Sequence, residues 1–162
     1  MSADQGPPMP QPTAEHAELM KMVGKWKVHC KFFMEPGQPP METEASEIVE
    51  AVGGFWLVCK FDSDFMGAPF SGRATMGYEP HAKRYVSTWI DSMSSALFHM
   101  TGAKRGDTVE MKGEAFSCMT NSVIMHRTVD RFISANEHVF DMYCTLPDGH
   151  EVHMMSNHYK RA

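Results

Sequence analysis

From Trp26 onward the chain changes rhythm. Trp26, Val28, Cys30 and Phe32 alternate with Lys25, Lys27, His29 and Lys31, an apolar face against a wet one, as in a half-buried strand. Before that point the period is helical. Thr13 can cap a helix, Glu15 suits the positive end of its dipole, Leu19, Met22 and Val23 share a face, and Gly24 suits the position after the last turn. A short amphipathic helix over residues 14–23 is expected.

The segment Glu35-Pro36-Gly37-Gln38-Pro39-Pro40 breaks the first strand, and a second runs from Glu42 to Val52 with its turn at Gly53-Gly54. Phe55, Leu57, Cys59 and Phe61 then alternate again. Further strands are predicted over 70–78, 84–91, 97–104, 108–116, 123–133, 138–146 and 151–160, separated by turn signals such as Glu79-Pro80, Arg105-Gly106-Asp107 and Pro147-Asp148-Gly149. Neither face is cleanly apolar over 97–104 and 151–160, so the inward parity of those strands is left open. Tight turns pair neighbours in sequence, and long antiparallel strands remove their edges by closing. The fold class read from this pattern is all-β: an antiparallel up-and-down β-barrel of about ten strands, closed at one end by the single helix. Gly72, Gly77, Gly102 and Gly113 lie inside strands with no helix after them, and are read as bends of a tightly coiled sheet.

Residues 1–12 hold four prolines among polar residues, which predicts a disordered tail ahead of a single domain over 13–162. The opening MSADQGPPMPQP has neither a positive n-region nor an apolar h-region, and no stretch is long enough to span a bilayer as a helix. The expectation is a cytoplasmic protein without a membrane. Cys30, Cys59, Cys118 and Cys144 are then reduced, buried, small hydrophobes. The formal net charge is -5 and no basic run exists, which argues against nucleic acid.

The helix followed by Gly24-Lys25-Trp26 resembles the opening of lipocalin-like, or calycin, barrels. That resemblance implies that Trp26 closes the barrel floor under an Arg from the chain's end, here Arg161. A closer resemblance is to a bacterial domain-of-unknown-function family, number fifteen seventy-nine. It is carried by Val23-Gly24-Lys25-Trp26, Pro36 to Pro40, Gly53-Gly54-Phe55-Trp56, Gly77-Tyr78-Glu79-Pro80 and Trp89-Ile90-Asp91-Ser92-Met93, in that order. It implies a calycin-like barrel and no assigned activity.

Methionine is the compositional anomaly, 16 of 162 residues. Unbranched, polarizable side chains either fill core gaps or line a pocket that adapts to apolar guests. Trp56, Trp89, Tyr78 and Tyr85 either pair across strands or wall such a pocket, with Asp91 to Ser95 as a polar loop at its mouth. The leading functional reading is non-catalytic binding of a small apolar molecule inside the barrel. Its candidate lining residues are Met76, Trp89, His99, Met125, Arg127, Met142 and Met154.

Three other readings compete with it. The barrel is also similar to the nitrobindin branch, which implies a haem ligated by His158 or His153 on the last strand. An enzyme would need polar residues such as Asp91, His99, Glu114, His126 and Arg127 to meet inside, with Asp91, His99 and Arg127 within hydrogen-bonding range. A filled barrel would act through its outer surface or as a homo-dimer. No metal site is read from the nine histidines: His150 and His153 of His150-Glu151-Val152-His153 point to opposite faces of a strand.

Overall fold

A computed structural model describes residues 6–162. Of the predicted tail, residues 1–5 lie outside the described ones, and residues 6–12 are exposed without regular structure. The elements are α1 (Ala14–Met20), β1 (Gly24–Phe32), β2 (Met41–Val52), β3 (Trp56–Phe65), β4 (Ala68–Glu79), β5 (Arg84–Asp91), β6 (Phe98–Arg105), β7 (Thr108–Ser117), β8 (Ser122–Ser134), β9 (Glu137–Thr145) and β10 (Glu151–Arg161). Each strand pairs antiparallel with its neighbour in sequence, and β1 pairs with β10 to close the ring. The result is the up-and-down barrel of ten strands that the alternation predicts. Among the described residues no helix is long and apolar enough to cross a membrane.

α1 is shorter than the predicted 14–23. Met22 and Val23 donate to the carbonyls of Leu19 and Met20, so the last turn tightens as the chain bends into β1. Met22 is still buried, whereas Val23 is exposed. His16 pins the helix in place. The Thr13 N–H donates to its Nδ1, which leaves Nε2 to donate to the Tyr78 carbonyl at 2.9 Å.

The floor is built around Trp26. Trp26 is 3% exposed and donates to the Met22 carbonyl at 2.9 Å. The Arg161 guanidinium lies 4.3 Å over its ring. The same guanidinium donates to the carbonyls of Lys21, Val23 and Ala135 and to Asn136 Oδ1. One side chain thereby joins the end of α1, the start of β1, the β8–β9 turn and β10. It also meets carbonyls that the end of a helix leaves unpartnered. A Cβ on Gly24 would come within 2.6 Å of Arg161 Nη1, and the glycine's φ is +138°; no other residue fits there.

The two undecided strands resolve for different reasons. In β6, Phe98, Met100 and Gly102 face inward, opposite Trp89, Ser87 and Tyr85 of β5. In β10 the register shifts between His153 and Met155, so Met154 is a bulge and alternation fails across it. Above the bulge, Met155, Asn157 and Tyr159 face inward, against Phe32, Cys30 and Val28. The interior glycines serve two purposes. A Cβ on Gly113 would lie 2.2 Å from the His99 carbonyl oxygen, a close approach of backbones where the sheet coils hardest. At Gly72 a Cβ would meet the Trp89 indole at 2.1 Å, so there the glycine makes room for a ring. The four cysteines are free; Cys118 is exposed rather than buried, because it sits in the β7–β8 loop.

Replacing Arg161 by Ala should lower stability by about 2–3 kcal/mol, since a cation–π contact and several charge-assisted hydrogen bonds go together. Arg161→Lys should recover less than half of that. Urea midpoints at constant m-value measure both, and an unchanged midpoint would place the closure elsewhere.

Candidate functional site

The barrel interior has two unlike halves. Near α1 the inward side chains are sealed: Val28, Val49 and Leu57 are essentially inaccessible, with Tyr85 and Val109 beside them. Toward the other end, Phe32, Phe70, Trp89, Phe98, Phe140, Met142 and Met155 also face inward but are only partly buried. An inward-facing side chain on a closed barrel meets solvent only through the barrel's open end. This half is therefore a cup with an aromatic and methionine wall. Phe70 stacks on Trp89 and Phe61 meets its edge, while the indole N–H donates to Asp91 at 2.9 Å. Two concavities sit at the helix end, away from this half of the interior. One, of about 220 Å³, lies between α1 and the floor against Trp26, Phe132 and His138; the other, about 330 Å³, is open beside Tyr78 and Lys83.

At the base of the cup lies a polar cluster in the core. Glu47, Asp130, His138, Asn157 and Tyr159 are each 4–8% exposed. They come from β2, β8, β9 and β10, and occupy the inward phase of those strands. His138 donates from Nδ1 to Asp130 at 2.7 Å. Its ring stacks on Tyr159 with centroids 4.3 Å apart and meets the Trp26 edge. This pair supports itself by charge and by packing.

Glu47 has no such partner. Burial pushes its carboxyl up to about 7, and the charge of Asp130 adds to that, while His138, the Cys59 thiol and the Tyr159 hydroxyl pull the other way. Burial also drives the Tyr159 hydroxyl and the Cys59 thiol well above their ordinary ranges, so both remain protonated donors. Asn157 Oδ1 is buried with no hydrogen-bond partner.

Of the residues expected to line the interior, Met76, Trp89 and Met142 face inward. Met154 is the bulge of β10. His99, Met125 and Arg127 do not line it. They lie on the outer wall, where His99 is exposed, Met125 is 36% exposed, and Arg127 pairs with Glu151 at 2.6 Å and stacks on Tyr143. Their strands carry the inward phase on the alternate residues Met100, Ile124, His126 and Thr128. Asp91, His99 and Arg127 therefore do not converge, and Glu114 is also outside.

His153 and His158 point outward as well, bonded to Asp141 and Glu137. The imidazoles that do face the barrel interior are those of His126 and His138. His126 donates from Nδ1 to the Ile124 carbonyl, which leaves Nε2 with a free lone pair, the tautomer that a metal or haem ligand needs. Burial holds this ring below the usual imidazole range, so it is neutral. Among the described residues no three His, Cys, Asp or Glu side chains gather into a metal-binding group.

The sequence reading passed over Glu47, Asp130, His138 and Asn157. Their signal was present: each is a polar residue in the inward phase of a strand.

A family model described as Protein of unknown function (DUF1579) matches residues 11–161. The chain belongs to that family. No curated protein matches it. Among solved structures, Rv2717c from M. tuberculosis is similar with a TM-score of 0.66 at 13% identity, over 94% of this chain and 99% of that one. A redesigned β-barrel (TM-score 0.48, 16% identity, 94% and 99% covered) and a de novo designed fluorescence-activating β-barrel (0.49, 14%, 93% and 100%) are also similar. At such identities the likeness to Rv2717c shows the barrel fold and nothing further. What this DUF1579 chain does has to be argued from its own interior.

The Glu47 carboxyl gives a test. A raised folded-state value means folding favours the protonated form. That stability is complete below the ordinary carboxylate range and is lost as pH rises through about 7. Between about pH 5 and pH 8 the native protein should lose about 3 kcal/mol relative to Glu47→Gln, which cannot ionise. Denaturant titrations of both proteins across that range measure it; a constant difference would mean that Glu47 ionises freely.

Proposed function

We propose that this protein binds a small, largely apolar molecule in the cup, in the manner expected of a calycin-like carrier. The observation that carries the reading is the incomplete burial of inward-facing Phe32, Phe70, Trp89, Phe98, Phe140, Met142 and Met155. A barrel that only had to be stable would seal these side chains, at about 25 cal/mol for each Å² of apolar surface covered. A guest entering the cup would gain that free energy instead, and flexible methionine suits guests of irregular shape.

The loops around the open end support the same reading. Met34, Met66, Met93 and Met119 stand there, one in each of four loops, each more than half exposed, with Leu97 beside them. The turns at the helix end are built instead from Gly53-Gly54, Pro80, Gly106 and Ala135-Asn136. Met66 is the most telling of the rim residues. Its φ is +51°, a conformation that suits Gly or Asn, yet its side chain is 77% exposed and secures nothing in the fold. A compliant apolar rim gives a guest a graded path out of water.

The neutral fluorescent probe phenylnaphthylamine tests the reading. It should brighten on mixing with the protein and quench Trp89 fluorescence. Met142→Gln should weaken its uptake by about tenfold, whereas Met125→Gln, on the outer wall, should leave uptake unchanged. Met66→Asn should raise stability by about 1 kcal/mol while slowing uptake. Absence of brightening, or equal effects of the two Met→Gln changes, would reject the cup as a binding site.

A further inference from the structure

From the base of the cup we infer a second, polar subsite: Asn157 Oδ1, the Glu47 carboxyl and the Tyr159 hydroxyl receive the protonated nitrogen of an amine whose apolar body fills the cup above. The inference rests on the cup reading and adds the chemical class of the guest.

Two independent observations lead to it. The first is an acceptor without a donor. Asn157 is 6% exposed and its Oδ1 has no partner, while its Nδ2 lies 3.7 Å from Met155 Sδ and its amide also touches the Tyr159 hydroxyl. A buried amide oxygen left unpaired carries a desolvation penalty, which a bound N–H group would remove. The second is the charge inside the barrel. Glu47, Asp130 and Asp91 face inward, and the strand Lys and Arg side chains lie on the outer wall or at the rims. The basic side chain that shares the layer is His138, already bonded to Asp130. Glu47 is thus a carboxyl without an ion-pair partner, and the Tyr159 hydroxyl links it to Asn157. That combination accepts hydrogen bonds and favours positive charge; a guest carboxylate placed there would meet acceptor oxygens and no cation.

The subsite can be reached from the cup. Phe140 pairs in register with both Asp130 and Asn157 and is half-exposed. Ala45, two residues along β2 from Glu47, is also half-exposed. Cys30 lies opposite Asn157, so the side chains flanking the oxygen on β1 and β2 are small. One layer of small or partly exposed side chains therefore separates the cluster from the open end. A protonated nitrogen on a short alkyl arm spans that layer. Once seated, it would draw the Glu47 proton off into solvent and replace it with its own N–H bonds.

The test uses one skeleton with three heads: phenylbutylamine, phenylbutanol and phenylbutyrate, each competing with phenylnaphthylamine for the wild-type protein. The amine should displace the probe at about one tenth of the alcohol concentration, and the carboxylate should be weakest. The amine-to-alcohol ratio should collapse toward one in Glu47→Gln and in Asn157→Leu, each checked for folding by its thermal transition. Equal competition by amine and alcohol in the wild type would overturn the inference, and would mean that a buried water alone satisfies Asn157. An amine preference that survives both substitutions would overturn it too, by placing the head group elsewhere. Failure of the probe itself to bind would instead overturn the cup reading on which the inference stands.

Discussion

Everything in the interior depends on the seam between β1 and β10. A ribbon of ten strands has two raw edges, and here they meet in a register that sets Trp26 opposite Arg161, Val28 opposite Tyr159 and Cys30 opposite Asn157. Side chains alternate with period two, so a slip of one residue at this seam would turn the inward set of β10 outward. The Arg161 guanidinium guards against that slip. It is held by carbonyls from both ends of the chain and by the Trp26 face, a set of contacts that fits one register only. The floor and the content of the interior are thus a single constraint.

That constraint puts chemistry in the core that stability alone does not call for. Replacing both partners of a buried hydrogen bond with apolar side chains of similar shape can be nearly neutral or stabilising, so Asp130 and His138 are not explained by their contribution to folding. Glu47 is harder still to explain that way, since it has no charged partner of its own and ionises only at a cost. Sequences obey local rules nearly everywhere and break them where function requires it. In this barrel the breaches gather in one layer, next to an amide oxygen that has nothing to bond. They also lie where the accessible half of the interior meets the sealed half. A polar layer at that boundary is positioned to meet a guest and poorly positioned to serve only the fold.

The fold was largely legible because its determinants are local. Period-two alternation from Trp26, turn residues such as Gly53-Gly54 and Gly106, and the capping Thr13 each declare themselves within a few residues. The exceptions were local as well. Nothing in the stretch 151–160 reveals that Met154 is a bulge, because a bulge is a relation between β10 and β9. The site was less legible. His99, Met125 and Arg127 have attractive chemistry but stand on the wrong parity, and parity could be read only by checking each against its apolar neighbours: Met100 for His99, Ile124 and Thr128 for the other two. Glu47 could have been found the same way, between Ala45 and Val49 on an inward face. That Glu47, Asp130, His138 and Asn157 come together is a consequence of barrel closure across β2, β8, β9 and β10, and no spacing within one segment encodes it. The methionine anomaly divides in a similar manner. Some of the excess packs the interior, at Met76, Met100 and Met111, and some decorates the mouth loops, which a strand-by-strand reading overlooks.

The two ends of the barrel differ physically in a way that bears on exchange of a guest. At the helix end, short polar turns, the Arg161 clasp and the His16 bond to Tyr78 tie the strands to one another and to α1. At the mouth, the connections carry exposed methionines, and the inward side chains are packed on the core side but partly open to solvent on the other. Local opening therefore costs least at the mouth, where few buried contacts have to be broken, and most at the floor. A guest can come and go by rearranging methionine and loop conformations, with the seam and the polar layer left intact. The same gradient sets what each residue can be asked to do. Atoms that must be held in place to recognise a head group, Asn157 Oδ1 and the Glu47 carboxyl, sit against the rigid end, and the surface that must yield to different bodies, Met66 and Met93 among it, is placed on the soft one.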